Sequence, residues 1–230
     1  MENGRLTLVA TPIGNLSDLS PRAIEALGAA SFWLVEDTRV SGKLQSHLGI
    51  RKPMRVLNDH TGPHALEKYH EELKSGTSAV LITDGGAPVI SDPGSALCDL
   101  CQESGIDVQA IPGPSAVTTA LMLSGFFGQR FAFLGFLGRK GGAMKSEFAP
   151  FAESPYTLVL FESPHRLDNC LKAAFEALGE RRYAICREMT KLHEQVFRGK
   201  LPIIPDEKLV PRKGEVTIVI EGVRRSRSSE

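Results

Sequence analysis

The sequence has few cysteines and no long hydrophobic run, and each absence argues against a class of protein. Four of its 230 residues are cysteine, too few for the disulfide framework of a small secreted domain. Cys98 and Cys101 have C-x-x-C spacing, but no second pair accompanies them, which favours packing within a helix over a metal or redox site. No stretch approaches the roughly 18 apolar residues of a membrane-spanning helix, and no basic segment followed by an apolar one opens the chain. We therefore expect a cytoplasmic protein with no metal site and no membrane contact.

Three common ligand-site fingerprints are also absent. The sequence has no Gly-x-Gly-x-x-Gly, no glycine-rich loop ending in Gly-Lys-Ser or Gly-Lys-Thr, and no His-Glu-x-x-His. These absences argue against a nicotinamide oxidoreductase, a P-loop triphosphate site and a zinc protease.

Neither charge sign is in excess over the whole chain, but the two halves differ. Lys and Arg together number 27, as do Asp and Glu. Residues 1–115 carry nine basic and fourteen acidic side chains, whereas residues 116–230 carry 18 and 13, giving net charges of −5 and +5. The basic second half allows an acidic partner such as nucleic acid without requiring one.

Short apolar runs alternate with helical patterns in the first half of the chain. The predicted strands are Leu6–Ala10, Phe32–Val35, Met54–Leu57, Ala79–Ile82 and Val108–Ile111, and the predicted helices are Pro21–Ala30, Gly42–Leu48, Pro63–Ser75 and Gly94–Ser104. Ser20 before Pro21 is typical of a helix start, and Gly49, Gly76 and Gly105 stand where helices end. This alternation predicts an α/β domain with a mainly parallel sheet.

The second half has a different arrangement of elements. After a helix from Ser115 to about Leu123, the predicted strands are Arg130–Leu134, Tyr156–Phe161, Tyr183–Cys186, Glu194–Arg198 and Glu215–Ile220. Because the last two are joined by little more than a loop, this sheet is expected to be partly antiparallel. We predict an N-terminal α/β domain at residues 1–124, a C-terminal α/β domain with a mixed sheet at residues 125–222, and a disordered basic tail at residues 223–230.

Three turn-rich loops follow strands of the first half: Thr11–Asn15, Thr83–Gly94 and Pro112–Ala116. Loops after parallel strands meet at one edge of the sheet, which is where open α/β sheets bind ligands. Glycine in these loops lets a ligand approach the backbone, and Asp84 and Asp92 stand where a phosphate site would have a cation. We therefore expect a ligand that is neutral or positive at its reactive end, although each loop alone could be a structural turn.

Polar clusters follow three of the predicted strands, at Glu36–Arg39, Glu162–Arg166 and Arg187–Glu194. A single cluster of this kind is ordinarily a solvated turn whose ion pair has little energetic value. Dense polar residues directly after several strands instead suggest the walls of a binding cleft.

Eight short motifs occur in order over about 220 residues: TPIGN, EDTR, TDGGAPVISDPG, PGPSA, GFLGRK, ESPHRL, REMTKLHE and KGE. Together they closely resemble the tetrapyrrole-methylase-like superfamily of S-adenosylmethionine-dependent methyltransferases. Within it, they are most similar to the branch that methylates the ribose 2′-hydroxyl of a cytidine in the decoding region of 16S ribosomal RNA. One departure is Gly138, which follows Gly-Phe-Leu where the branch usually has proline.

The resemblance implies two α/β domains with S-adenosylmethionine in the cleft between them, a homodimer, and 16S rRNA or the assembled small ribosomal subunit as partner. It assigns to the cofactor Pro12, Gly14, Asp84, Gly85, Gly86, Ile90, Ser115, Ala116, Glu162 and Met189. It assigns to the substrate Arg39, Arg166, Arg187 and Glu188, and the catalytic candidates are Glu36, Asp37 and Lys191.

Methyl transfer to a ribose hydroxyl needs in-line alignment and a proton acceptor, but no metal. Glu36 or Asp37 is the expected base, and Lys191 is a candidate only if burial among cations lowers its pKa. The three arginines suit phosphate because a guanidinium stays charged. Two alternatives stay open: a methylase of a porphyrin-like or other small substrate, and a non-catalytic module that binds a metabolite.

Overall fold

The computed structural model describes residues 4–139 and 141–224, and the chain divides into two units, Met1–Ser115 and Ala116–Glu230. Each unit is built on one five-stranded sheet. The division falls before the predicted boundary at residue 124, because helix α5 (Ala116–Ser124) packs on the second sheet. Most of the predicted tail lies outside the described residues.

The first sheet is parallel throughout, as predicted. Its strands are β1 (Arg5–Val9), β2 (Phe32–Val35), β3 (Met54–Val56), β4 (Ala79–Leu81) and β5 (Asp107–Ile111), in the order β3-β2-β4-β1-β5. Every residue of β2 and β4 is buried, which is typical of central strands covered on both faces.

Four helices cover the two faces of this sheet. The helices α1 (Pro21–Ala29) and α2 (Thr38–Leu48) pack around Trp33 on one face, and α3 (Pro63–Lys74) and α4 (Ser95–Glu103) pack around Phe32 on the other. Cys98 and Cys101 are buried and unbonded in α4, in agreement with their predicted packing role.

The starts of the first two helices follow from their caps. The Ser20 hydroxyl accepts a hydrogen bond from the amide of Ala23, so α1 begins as predicted. The helix α2 begins at Thr38 rather than at the predicted Gly42, because the side chain of Asp37 caps it.

The second sheet is mixed, as predicted. Its strands are β6 (Phe131–Phe136), β7 (Thr157–Glu162), β8 (Arg182–Arg187), β9 (Gln195–Lys200) and β10 (Val216–Ile220), in the order β6-β7-β10-β8-β9. The strands β6 and β7 are parallel, and the other neighbours are antiparallel. The reason given for the mixed sheet is nevertheless wrong, since β8 separates β9 from β10.

Two helices that the sequence patterns did not predict, α6 (Gly141–Phe148) and α7 (Leu167–Leu178), pack on one face of the second sheet. The helix α5 covers the other face, where the Cys186 thiol lies 3.7 Å from the carbonyl oxygen of Ala120. Within the described residues, none of the helices is long and apolar enough to cross a membrane.

Candidate functional site

In the first unit, four post-strand segments meet at one edge of the parallel sheet. Residues 11–15 follow β1, residues 36–39 follow β2, residues 83–94 follow β4 and residues 112–115 follow β5. These four strands are consecutive neighbours and run in the same direction. The segments therefore lie side by side at the carboxyl ends of the strands, the usual ligand-binding position of such sheets.

Backbone contacts fix the loop after β4 against the loop after β1. Thr11 and Gly86 exchange two backbone hydrogen bonds, of 2.9 Å from the Thr11 amide and 3.0 Å from the Gly86 amide. The Thr11 hydroxyl also donates to the carbonyl of Thr83 at 3.2 Å. Gly86 has a φ of +97°, and a Cβ on Gly85 would lie 3.2 Å from the carbonyl oxygen of Pro12. This part of the edge is consequently bare backbone in a fixed conformation.

Three carboxylates, those of Glu36, Asp84 and Asp92, influence one another at the same edge. Burial raises the pKa of Glu36, and the charge of Asp84 raises it further, against an opposing hydrogen bond from the Asp84 amide. Burial and then the charge of Glu36 raise the pKa of Asp92 to about 6. Burial and then the charge of Asp37 raise the pKa of Asp84. No group of His, Cys, Asp and Glu in the described chain is arranged to hold a metal ion.

Asp37 has a different role from that of its neighbour Glu36. Its Oδ1 accepts a 2.8 Å hydrogen bond from the backbone amide of Arg39, and its Oδ2 accepts one of 2.6 Å from the Arg39 guanidinium. These bonds to Arg39 hold the pKa of Asp37 at about 2. So weak a base is poorly suited to general-base catalysis at neutral pH. The Arg39 side chain keeps 88% of its surface exposed.

In the second unit, four motifs meet at one edge of the mixed sheet. The strands β6, β7 and β8 end there and β10 begins there, because β10 runs antiparallel to both of its neighbours. Val216 at the start of β10 pairs with Glu162 on one side and with Arg187 on the other. The segments 137–139, 162–166, 187–194 and 213–215 thus share this edge.

Glu162 and Arg166 form a buried ion pair behind this edge. The Glu162 side chain is 1% exposed, and its Oε1 lies 3.1 Å from Nε of Arg166 and accepts the Ser163 amide at 2.7 Å. The Nη2 of Arg166 donates to the carbonyls of Leu137 at 2.9 Å and Gly138 at 3.0 Å. Burial raises the pKa of Glu162, although the Ser163 amide and the charge of Arg166 oppose this. Arg166, assigned to substrate by resemblance, already donates to two backbone carbonyls and is paired with the charge of Glu162.

Lys191 lies between two carboxylates rather than among cations. Its Nζ is 3.0 Å from Oε1 of Glu188 and 3.1 Å from Oε2 of Glu215. Burial lowers the pKa of Lys191, but the two carboxylates outweigh burial, so the pKa is raised. The condition under which Lys191 could act as a base, burial among cations that lowers its pKa, is therefore not met.

Gly214 makes room for Glu188. Gly214 has a φ of +79°, and a Cβ there would lie 2.5 Å from Cδ of Glu188. Glu188 itself has a φ of 50°, and its Oε1 accepts the amide of Glu215 at 2.8 Å. That amide is the main reason why the pKa of Glu188 is lowered. Glu188 thus ties the turn after β8 to the start of β10.

Arg187, also assigned to substrate by resemblance, donates to the carbonyls of Lys213 at 2.7 Å and His193 at 3.2 Å. Like Arg166, it supports backbone carbonyls. Arg39 is the predicted substrate-binding arginine whose guanidinium remains mostly accessible.

The structure places some predicted residues at the edge of the first sheet and the others in the second unit. The edge of the first sheet collects Pro12, Gly14, Glu36, Asp37, Arg39, Asp84, Gly85, Gly86, Ile90 and Ser115, and the second unit holds Ala116, Glu162, Arg166, Arg187, Glu188, Met189 and Lys191. Met189 is buried, whereas Ile90 is 46% exposed. The individual binding roles stay predictions.

Sequence reasoning gave no role to Gly214 or Glu215, and it noted Asp92 as an acidic residue of its loop without assigning it to the site. All three stand in the motifs TDGGAPVISDPG and KGE, so the signal was present. Their partners could be found only from the folded chain, because Asp92 interacts with Glu36 and Glu215 with Lys191 across large sequence separations.

Comparison with known proteins agrees with these observations. The family model described as Tetrapyrrole (Corrin/Porphyrin) Methylases matches residues 5–204. A Mycobacterium bovis protein named Ribosomal RNA small subunit methyltransferase I is 44% identical over 96% of this chain and 79% of its own length. A Thermotoga maritima protein of the same name is 41% identical over 95% of this chain and 99% of its own length.

Solved structures share the fold at lower identity. Uroporphyrin-III-C-methyltransferase from Thermus thermophilus has a TM-score of 0.67 and 19% identity, covering 95% of this chain and 94% of that chain. Diphthine synthase has a TM-score of 0.68 and 17% identity, covering 95% and 90%. The family match and the level of identity to the curated relatives confirm the resemblance: the chain belongs to the tetrapyrrole (corrin/porphyrin) methylase family.

Proposed function

We propose that the protein is an S-adenosylmethionine-dependent methyltransferase that modifies the ribose 2′-hydroxyl of a cytidine in 16S ribosomal RNA. The observation that carries this proposal is the convergence of bare glycine backbone and the partly buried carboxylates of Glu36 and Asp92 at one edge of the parallel sheet. The names of the curated relatives favour ribosomal RNA over a porphyrin-like substrate. The net charge of +5 on residues 116–230 is consistent with that choice.

The edge of the first sheet fits S-adenosylmethionine. Gly85 and Gly86 permit close approach of an adenosine or methionine group to the backbone. The carboxylates of Glu36 and Asp84 offer negative charge to a sulfonium, whereas a triphosphate would be repelled. When bound, the cofactor supplies a methyl group that is already activated for transfer.

The remaining cofactor residues are proposed from their motifs. They are Pro12, Gly14, Ile90 and Ser115 in the first unit and Ala116, Glu162 and Met189 in the second. Because its side chain is 1% exposed, Glu162 would contact a ligand through its backbone.

Glu36 is the proposed proton acceptor for the ribose hydroxyl. Burial and the charge of Asp84 raise its pKa, which makes it a stronger base than an ordinary carboxylate. Asp37 instead caps α2 and orients Arg39. Arg39 is mostly exposed and is proposed to bind an RNA phosphate.

Two further properties are inferred from the family resemblance and the proposed substrate. We infer that the protein acts in the cytoplasm, on 16S rRNA or the assembled small subunit, and that it is a homodimer. Light scattering of the purified protein tests the dimer.

To test the function, the purified protein is incubated with a labelled methyl donor and with each of three acceptors in turn. These are small subunits from a strain lacking the gene, protein-free 16S rRNA, and uroporphyrinogen. We expect label in rRNA, at a 2′-O-methylated cytidine of the decoding region, and far slower labelling with Glu36→Gln. Label in the porphyrinoid alone would overturn the RNA assignment, and donor binding without any transfer would indicate a metabolite-binding module.

A further inference from the structure

The loop after β6 presents an arginine that no motif comparison assigned. Arg139 is exposed, and within the described residues it forms no ion pair and no hydrogen bond. The loop belongs to the same edge of the second sheet as the ends of β7 and β8. Arg139 is thus a free cation at that edge, next in sequence to Lys140.

The loop that carries Arg139 is held from two sides. On one side, Nη2 of Arg166 donates to the carbonyls of Leu137 and Gly138 at 2.9 and 3.0 Å. From α6, Oε1 of Glu147 accepts the amide of Gly138 at 2.8 Å. A proline at position 138 would have no amide hydrogen, so the hydrogen bond from Gly138 to Glu147 could not form in a chain with proline there.

The cations that the resemblance assigned to this edge are occupied. Arg166 binds Glu162 and two carbonyls, Arg187 binds two carbonyls, and Lys191 binds two carboxylates. A guanidinium whose N–H groups already bind internal acceptors has fewer of its five donors free for a phosphate. Arg139 has no such contact to lose, and its loop is already ordered.

We propose that Arg139 contacts a phosphate of the RNA, and that Arg166 is a positioning residue that holds the Arg139 loop against the buried Glu162. This inference rests on the proposed RNA methyltransferase function and reverses the sequence-based assignment of Arg166. Arg139 supplies binding, and Arg166 supplies the geometry of the loop.

Salt-dependent RNA binding tests the role of Arg139. The affinity of the whole protein for 16S rRNA is measured over a series of salt concentrations for wild type, Arg139→Ala and Arg130→Ala. Arg130 is the matched control, because it is exposed and precedes the opposite end of the same strand. We expect Arg139→Ala to weaken binding about tenfold and to lower the salt slope by about one phosphate contact. Arg130→Ala should match wild type.

A double-mutant cycle tests the role of Arg166. Arg166→Lys keeps the charge but loses the fork that binds two carbonyls and Glu162. If Arg166 acts through the loop, Arg166→Lys and Arg139→Ala are non-additive, and the double variant binds RNA no more weakly than Arg139→Ala. Amide hydrogen exchange at Gly138 and Arg139 should accelerate in Arg166→Lys while the rest of the second unit stays protected.

Three results would overturn the inference. Unchanged affinity and slope in Arg139→Ala would remove its phosphate contact. Additive losses in the double variant, with unchanged exchange in the loop, would make Arg166 a direct ligand. A wild-type protein that neither binds nor methylates rRNA would overturn the proposed function as well, which distinguishes that failure from the first two.

Discussion

Glu36 and Asp37 are neighbours in sequence, yet their surroundings give them opposite acid–base properties. Burial raises the pKa of Glu36, whereas Arg39 holds that of Asp37 at about 2. We expect Glu36→Gln to lower kcat by about 10²–10⁴-fold, because it removes the proton acceptor. Asp37→Asn should retain most activity, because asparagine also caps helices well.

Methyl-transfer rates against pH provide the measurement. The acid limb of the wild-type profile should lie above the ordinary glutamate pKa of 4.5, since activity requires ionised Glu36 and rises as pH increases through its pKa. Equal losses in Glu36→Gln and Asp37→Asn would contradict this division of roles.

Asp92 should make stability depend on pH. Its pKa is raised from 3.8 to about 6 in the folded state, so the folded protein retains a proton that the unfolded chain releases. Raising the pH from 4 to 6 therefore costs stability, and the penalty persists above pH 6. At pH 7, Asp92→Asn should raise Tm by roughly 2–4 °C, and at pH 3.5 it should have no effect.

Calorimetry at the two pH values measures this difference. Asp99→Asn is the control, because Asp99 is an exposed residue of α4. A gain of the same size in both variants would trace the effect to net charge rather than to the burial of Asp92.

At the scale of elements, most of the helices and strands could be predicted from the spacing of apolar residues and from turn residues. The strand β2 is found at its predicted residues, because a short apolar run between polar turns has few alternative structures. The start of α2 was missed because Asp37 was interpreted as part of a polar turn, although aspartate before a helix is a recognised cap. The helices α6 and α7 were not predicted, and each directly follows a polar motif.

The turn after β8 depends on Gly214. Gly214→Ala should destabilise the fold by more than Gly49→Ala, because its Cβ would lie 2.5 Å from Glu188, whereas nothing lies within 4 Å of a Cβ at Gly49. Both variants incur the left-handed backbone penalty of about 1–2 kcal/mol. Unfolding in urea measures the difference, and equal losses would show that Glu188 moves aside without cost.

At the scale of the whole molecule, donor and RNA binding should be separable. Gly85→Val should lower donor affinity, because its side chain would crowd the carbonyl of Pro12, and should leave RNA affinity unchanged. Gly62→Val is the control, because no atom lies within 4 Å of a Cβ there. Isothermal titration with S-adenosylmethionine and filter binding with rRNA measure the two affinities. If Gly85→Val lowered the affinities for donor and for RNA alike, the two binding functions would not be separable.

The two sheets follow from the sequence patterns, but the roles of the arginines do not. An arginine after a strand has the same sequence signature whether it binds a phosphate or supports a carbonyl. Arg166 and Arg187 could be distinguished from Arg139 only by the acceptors that the fold brings to them. The segments that share an edge of each sheet could therefore be predicted from the sequence, whereas the partners of the individual arginines could not.

The paired backbone hydrogen bonds between Thr11 and Gly86 have a consequence for how this protein can diverge. Surface loops ordinarily accept insertions and deletions. A one-residue insertion between Val9 and Thr11, or between Leu81 and Gly86, would put the two amides and carbonyls out of register. Divergence in these two loops should therefore proceed by substitution at constant length.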